Sequence, residues 1–235
     1  MCPIQIVSVD LFNTLVDLSS ERHILWQTFL GETSTPTRIK QGWELTTQTL
    51  FNALDQMNAT SKYQSFRTVF QACYTEVFER LQVAFDPEEA AGLLVRHHAR
   101  SPWFSDAVPC LESIRRSLRV CVASDTDEAM VGEHVREYPF DMSFTSERLR
   151  VYKGDVQNRF FKAIVAYYAL PPRQIIHVGD SPMEIVAAQR AGLQTCWVNR
   201  PGRVWPYEYP PDYEVASLTA LVSLVGDGNR NSTGK

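Results

Sequence analysis

Three apolar runs end in residues able to do chemistry: Ile6-Val7-Ser8-Val9 stops at Asp10, Val120-Cys121-Val122-Ala123 at Ser124, and Ile175-Ile176-His177-Val178-Gly179 at Asp180. Such runs read as strands buried on both faces, and in an open α/β sheet the reacting groups lie just beyond the carboxyl ends of the strands. Lys153 stands between the second and third runs, at the start of a helical pattern. Taken alone, Asp10 reads equally as a nucleophile or as a turn cap, since Asp often follows a strand. Two carboxylates, a hydroxyl and a cation together suit an anionic substrate and a hard divalent metal, which prefers oxygen ligands.

The elements that must position these residues follow from periodicity. From Asp17 to Ser101 apolar residues recur at three- and four-residue steps, in His23–Leu30, Trp43–Met57 and Tyr63–Val83. Gly31 and Pro36 separate the first two patterns, and Asp86-Pro87-Glu88-Glu89 opens a further helix. After Trp103 helices alternate with short β-rich runs: a helix over 109–117, the run to Asp125, a helix capped by Asp127 to about Glu137, a weak strand over 142–146, a helix over 155–168, the run to Asp180, a helix over 183–191 stopped by Gly192, and a strand over 194–198. The alternation predicts an α/β fold, a Rossmann-like three-layer core with a mostly parallel sheet, and an inserted helical cap. The expected limits are 1–16 and 102–225 for the core, 17–101 for the cap, and 226–235 for a frayed tail.

At 235 residues the chain is long enough for such an arrangement, and 44% hydrophobic with 21% charged residues is ordinary for a globular protein. A net charge of −4 leaves no whole-chain footprint for nucleic acid or anionic lipid, so the expected partner is a small anionic molecule. The five cysteines lack metal-ligand spacing and cannot all pair within one chain. The N-terminal apolar stretch has no basic leader, and no run reaches the roughly 20 apolar residues of a membrane span. A cytosolic location with reduced thiols is therefore expected, and the oligomeric state is left open.

The order Asp10-Leu11-Phe12-Asn13-Thr14-Leu15, Val122-Ala123-Ser124, Lys153, then Gly179-Asp180-Ser181-Pro182-Met183-Glu184 resembles the haloacid dehalogenase superfamily of hydrolases, with a helical cap after the first strand. The resemblance covers nearly the whole chain. It implies Asp10 as nucleophile, with Thr14 and Ser124 donating to substrate oxygens and Lys153 neutralising developing charge. It further implies Mg²⁺ held by the Asp10 carboxylate, the Phe12 backbone carbonyl and Asp180, with Glu184 nearby directly or through water. On that basis the leading expectation is Mg²⁺-dependent hydrolysis of a small phosphate ester.

The chain also departs from the pattern. Phosphatases of the superfamily usually carry a second aspartate two residues after the nucleophile, and Phe12 stands there instead. Phenylalanine cannot transfer a proton, help typically worth about 10² to 10⁴ in rate. An aromatic at this place also occurs in the haloacid dehalogenases, whose halide needs no proton on leaving. Those enzymes generally lack the metal-binding aspartate, which this chain keeps as Asp180 with Glu184. They also use a cap arginine, for which Arg38 or Lys40 is available, and an aromatic where this chain has Arg159. Carbon–halogen hydrolysis and a catalytically weak binding or regulatory protein are thus the alternatives. Asn13 replaces the glycine usual in the nucleophile loop, and Asn tolerates positive φ. His97 and His98 point different ways on one helix and form no metal pair. His177 is expected to be packed, and Trp26 and Trp43 to belong to the cap interior.

Overall fold

The structure is a computed structural model and describes residues 3–230, with the side chains of 21 and 226–230 left aside. The chain divides into two compact units, Met1–Asp17 with Pro102–Asp125 and Pro139–Lys235, and Leu18–Ser101 with Thr126–Tyr138.

The first unit is built on a six-stranded sheet: β1 (Ile6–Val9), β2 (Arg119–Ser124), β3 (Ser143–Thr145), β4 (Ile175–Gly179), β5 (Gln194–Val198) and β6 (Tyr213–Val215). The order is β3-β2-β1-β4-β5-β6 and every pairing is parallel. β1 therefore lies inside the sheet, with β2 and β4 on either side, and all four of its residues are buried. Because strand side chains alternate, Ile6, Cys121, Ala123 and Ile175 share one face. They pack there with Phe160, Phe161 and Ile164 of the helix Arg159–Tyr168 and with Ala187 and Ala188 of the helix Pro182–Arg190. The helices Ala107–Ile114 and Leu218–Arg230 pack on each other and cover the other face, where Cys110 approaches Cys196. This is an α/β fold with helices on both faces of a parallel sheet, as the alternating pattern predicts.

The second unit holds the helices Glu21–Leu30, Pro36–Thr60, Phe66–Leu81 and Pro87–Arg100. Thr35, Ser65 and Asp86 cap three of them by accepting from Arg38, Thr68 and Glu89 N–H groups. Trp26, Phe29, Tyr74 and Phe78 form its aromatic centre, with Trp26 edge-on to Phe29 and Phe78. Trp43 is only half-buried. A Cβ on Gly42 would overlap the Trp26 ring. Gly42→Ala is therefore expected to destabilise this unit by about 1–3 kcal/mol, the cost of overpacking exceeding the helix-propensity gain. Urea unfolding checks this, and a variant as stable as the parent would contradict it.

The structure differs from the sequence reading at several places. Residues 126–138 pack with the helices rather than with the sheet. Asp127 does not cap a following helix, because its carboxylate takes the Phe66 and Arg67 N–H groups, each at 2.8 Å. A 3₁₀ turn, Glu128–Met130, and a single turn of helix, Glu133–Arg136, follow it. The helix expected from 155 starts at Arg159, after Asn158 adopts a left-handed φ of 58°. β6 was not foreseen, and the last helix runs to Arg230, past the expected start of the tail at 226, while 231–235 lie outside the described residues.

Candidate active site

The parallel register places the ends of β1, β2 and β4 side by side, since Val9 pairs with both Val122 and Val178. Asp10 follows directly, its N–H donating to Val178 O at 2.9 Å. The chain then turns tightly: Leu15 and Val16 N–H groups both bond Leu11 O, and Asn13 takes a φ of 60°. That left-handed conformation is one that asparagine accepts more readily than most residues. Within this loop the Thr14 hydroxyl is fully buried and has no hydrogen-bond partner. A buried hydroxyl without a partner is uncommon in a folded protein.

Lys153 reaches the same place. Its ammonium group donates to Asp10 Oδ1 at 2.6 Å and also bonds Glu184 Oε2. The lysine is fixed from behind by Asp125, which accepts its backbone N–H at 2.9 Å. Glu184 reaches back to the start of its helix, accepting the Ser181 N–H at 3.0 Å as in a capping box. Gly179 makes this reach possible, because a Cβ there would collide with the Glu184 carboxylate. Carboxylate oxygens of Asp10, Asp180 and Glu184 lie within 4.8 Å of one another. Ser124 is buried at the end of β2.

His177 is fully buried, with Nδ1 3.1 Å from Ser8 Oγ and Nε2 3.4 Å from Glu184 Oε2, and it meets the Phe161 ring edge-on. Burial lowers its pKa, with the neighbouring Glu184 carboxylate working the other way. Trp197 Nε1 and Arg203 both donate to the Asp180 carbonyl, at 2.8 and 2.7 Å, partners that no local sequence pattern marks. The Arg203 guanidinium also lies 3.8 Å from its carboxylate.

Electrostatically the site is crowded with acids around one base. Burial pushes Asp10 up to about 6, with Lys153 opposing and Glu184 adding to the rise. Burial likewise raises Asp125 to about 7 and holds Asp180 well above the usual carboxylate range, the latter with help from Glu184 and Asp10. Burial works to raise Glu184 too, but Lys153 and His177 outweigh it and hold that carboxyl at about 2. Lys153 is kept charged, since the surrounding carboxylates overcome the cost of its burial.

The other cations named from the sequence have partners of their own. Arg38 bonds Thr33 and the Leu81 carbonyl within the helical unit, Lys40 forms an exposed pair with Glu44, and Arg159 pairs with Asp155. His98 bonds the Leu94 carbonyl one turn back on its own helix.

Comparison with known proteins bears on the family. The model of the haloacid dehalogenase-like hydrolases matches residues 4–192. An (S)-2-haloacid dehalogenase of Pseudomonas sp. (strain YL) is 26% identical over 227 residues, 93% of each chain. An enolase-phosphatase E1 of Synechococcus sp. (strain RCC307) is 31% identical over 145 residues, 57% of each chain. In fold, the chain is similar to a crystal structure of an L-2-haloacid dehalogenase, with a TM-score of 0.82, 19% identity, and 95% and 99% of the two chains covered. With a family match over residues 4–192 and a parallel sheet covered by helices on both faces, the chain belongs to the haloacid dehalogenase-like hydrolases.

Proposed function

We propose that the chain hydrolyses the carbon–halogen bond of a small 2-haloacid, with Asp10 as the nucleophile. One observation carries the reading: the residue two places after Asp10 is Phe12, which can neither give nor take a proton, and a halide departs without one. The similarity to an (S)-2-haloacid dehalogenase along 93% of both chains supports it. This reverses the order of preference expected from the sequence motifs. An Asp10 oxygen attacks C2, the C–halogen electron pair leaves with the halide, and water then cleaves the Asp10 ester to give the hydroxy acid and the free carboxylate. Lys153 orients Asp10, while Thr14 and Ser124 donate to the substrate oxygens. The inserted helices, 17–101, act as the cap that selects the substrate. Among the described residues no helix is long and apolar enough to cross a membrane. The free thiols of Cys73, Cys110, Cys121 and Cys196 support a place in the reducing cytosol.

A second reading, Mg²⁺-dependent hydrolysis of a phosphate ester, is favoured by the acidic trio. Asp10, Asp180 and Glu184 offer hard oxygen donors close together, and the Arg203 guanidinium stands 3.8 Å from the Asp180 carboxylate, so the residues fit a divalent cation. Asp10 and Asp180 would hold it, with the Phe12 carbonyl and Glu184, and it would offset the repulsion between carboxylates and phosphate.

Purified protein assayed with (S)-2-chloropropionate and a panel of phosphate esters, with EDTA or Mg²⁺, separates the readings. Chloride release in EDTA that disappears in Asp10→Asn is the expected result. Phosphate release that requires Mg²⁺, without chloride release, would overturn the first reading in favour of the second. Turnover of neither, with saturable ligand binding, would leave a binding protein. Phe12→Asp sharpens the contrast. The added acid is expected to raise phosphate-ester hydrolysis at least tenfold while a further carboxylate beside Asp10 slows dehalogenation, roughly within the range of general acid–base effects. An unchanged ratio of the two rates would contradict the role given to Phe12.

A further inference from the structure

We propose that Arg200, aligned by Asp106, is a positioning residue for the nucleophile loop and acts on the reaction through Thr14. The loop after Asp10 bonds mostly to itself, and its Thr14 carbonyl is taken by a side chain that follows β5, two strands over from β1. Arg200, two residues beyond β5, donates to Thr14 O at 3.0 Å. The same guanidinium forks onto Asp106, with its two terminal nitrogens 3.0 and 2.9 Å from the carboxylate oxygens. Its plane lies over the Phe104 ring, 3.9 Å from the centroid, and Phe104 N–H itself bonds Leu15 O at 2.8 Å. Asp106 is held in turn by the Leu218 N–H at 2.9 Å. The planar fork, the ring beneath it and a fixed carboxylate leave the guanidinium one orientation, which lysine could not reproduce.

The consequence falls on Thr14. Its carbonyl is anchored by Arg200 while its buried hydroxyl has no partner. Fixing the peptide fixes the direction in which that hydroxyl points, and displacement of a positioned group by about 1 Å can cost up to about 100-fold in rate. Neither Arg200 nor Asp106 belongs to the acidic trio or bonds Lys153.

The rate arm of the test rests on the proposed role of Asp10 and Thr14, and a second arm does not. In hydrogen exchange followed residue by residue, Arg200→Met is expected to speed exchange of the Leu15 and Val16 amides about tenfold, with Val7 and Val9 of β1 unchanged, as for a local opening. In turnover, Arg200→Met is expected to lower kcat about tenfold or more with little change in KM. On a Thr14→Val background the same substitution should cost less than about threefold, since residues acting as a unit are not additive. Arg200→Lys and Asp106→Asn should fall between parent and Arg200→Met in both arms, and they serve if Arg200→Met does not fold. Unchanged exchange at Leu15 and Val16 in a folded variant would overturn the proposal, as would rate losses that simply multiply with that of Thr14→Val. If no substrate is turned over, the proposed function fails and the exchange arm still decides whether Arg200 holds the loop.

Discussion

Asp10→Asn is expected to lose turnover by on the order of 10⁴-fold or more while remaining at least as stable as the parent at neutral pH. The amide cannot attack carbon or phosphorus, so the loss follows from the nucleophilic role. The stability follows from the electrostatics. Burial lifts the folded-state pKa of Asp10 from 3.8 to about 6, so the folded protein binds the more protons between those values and stability falls as pH rises through that window. Above it, ionised Asp10 is an unfavourable charge that asparagine removes, and Lys153 keeps Glu184 as a partner. Thermal unfolding at pH 5 and pH 7.5, beside the rate assay, checks both halves. A rate within tenfold of the parent, or a marked loss of stability at pH 7.5, would contradict the account.

Lys153→Met should do harm of both kinds. Lys153 and both partner carboxylates are almost wholly buried, so removing the cation leaves Asp10 and Glu184 as unpaired charges. Breaking one side of a buried pair typically costs about 3–5 kcal/mol, and the rate should fall by on the order of 10²–10³ as a charged donor is lost. The sign of the pH effect is opposite to intuition for a charged site. Glu184 is held at about 2 chiefly by Lys153, so its stabilising contribution is present above pH 4.5 and lost as pH falls towards 2. Without the lysine that contribution vanishes at neutral pH and the carboxylates gain by protonation. The variant should therefore be most destabilised near pH 7.5 and least near pH 4. Urea unfolding at the two pH values tests this, and a deficit that does not shrink in acid would argue against the pairing.

The strand ends were legible because each is an apolar run broken by one polar residue, and the superposition of Asp10, Ser124 and Asp180 follows from parallel strands alone. The four long helices of the insert were legible for the same reason, through three- and four-residue spacing and cap residues such as Asp86. What stayed hidden is bonding across long sequence distances. Asp127 has the form of a local helix cap, yet its carboxylate serves Phe66 and Arg67 some sixty residues earlier. Arg200 and Asp106 are 94 residues apart, and no local pattern marks them as a pair. β6 has only three residues, too few to show an alternation. Asn158 ends the turn before its helix through a positive φ that the apolar periodicity does not register. At the site itself, the family resemblance implied Asp180 as a direct metal ligand, with Glu184 nearby directly or through water. The structure separates them: Glu184 is committed to Lys153 and the Ser181 N–H, whereas the Asp180 carboxylate is the less engaged of the two.

The central claim, that Asp10 forms an ester with carbon and water then cleaves it, is tested most directly by a single turnover in ¹⁸O-water with enzyme in excess over (S)-2-chloropropionate. Water attacking the ester carbonyl would leave ¹⁸O in the Asp10 carboxylate, and the hydroxy acid would carry an unlabelled oxygen taken from Asp10. Mass analysis of the peptide containing Asp10 and of the product should show that distribution. Label found in the product, with Asp10 unlabelled, would mean that water attacks the substrate directly and would contradict the account.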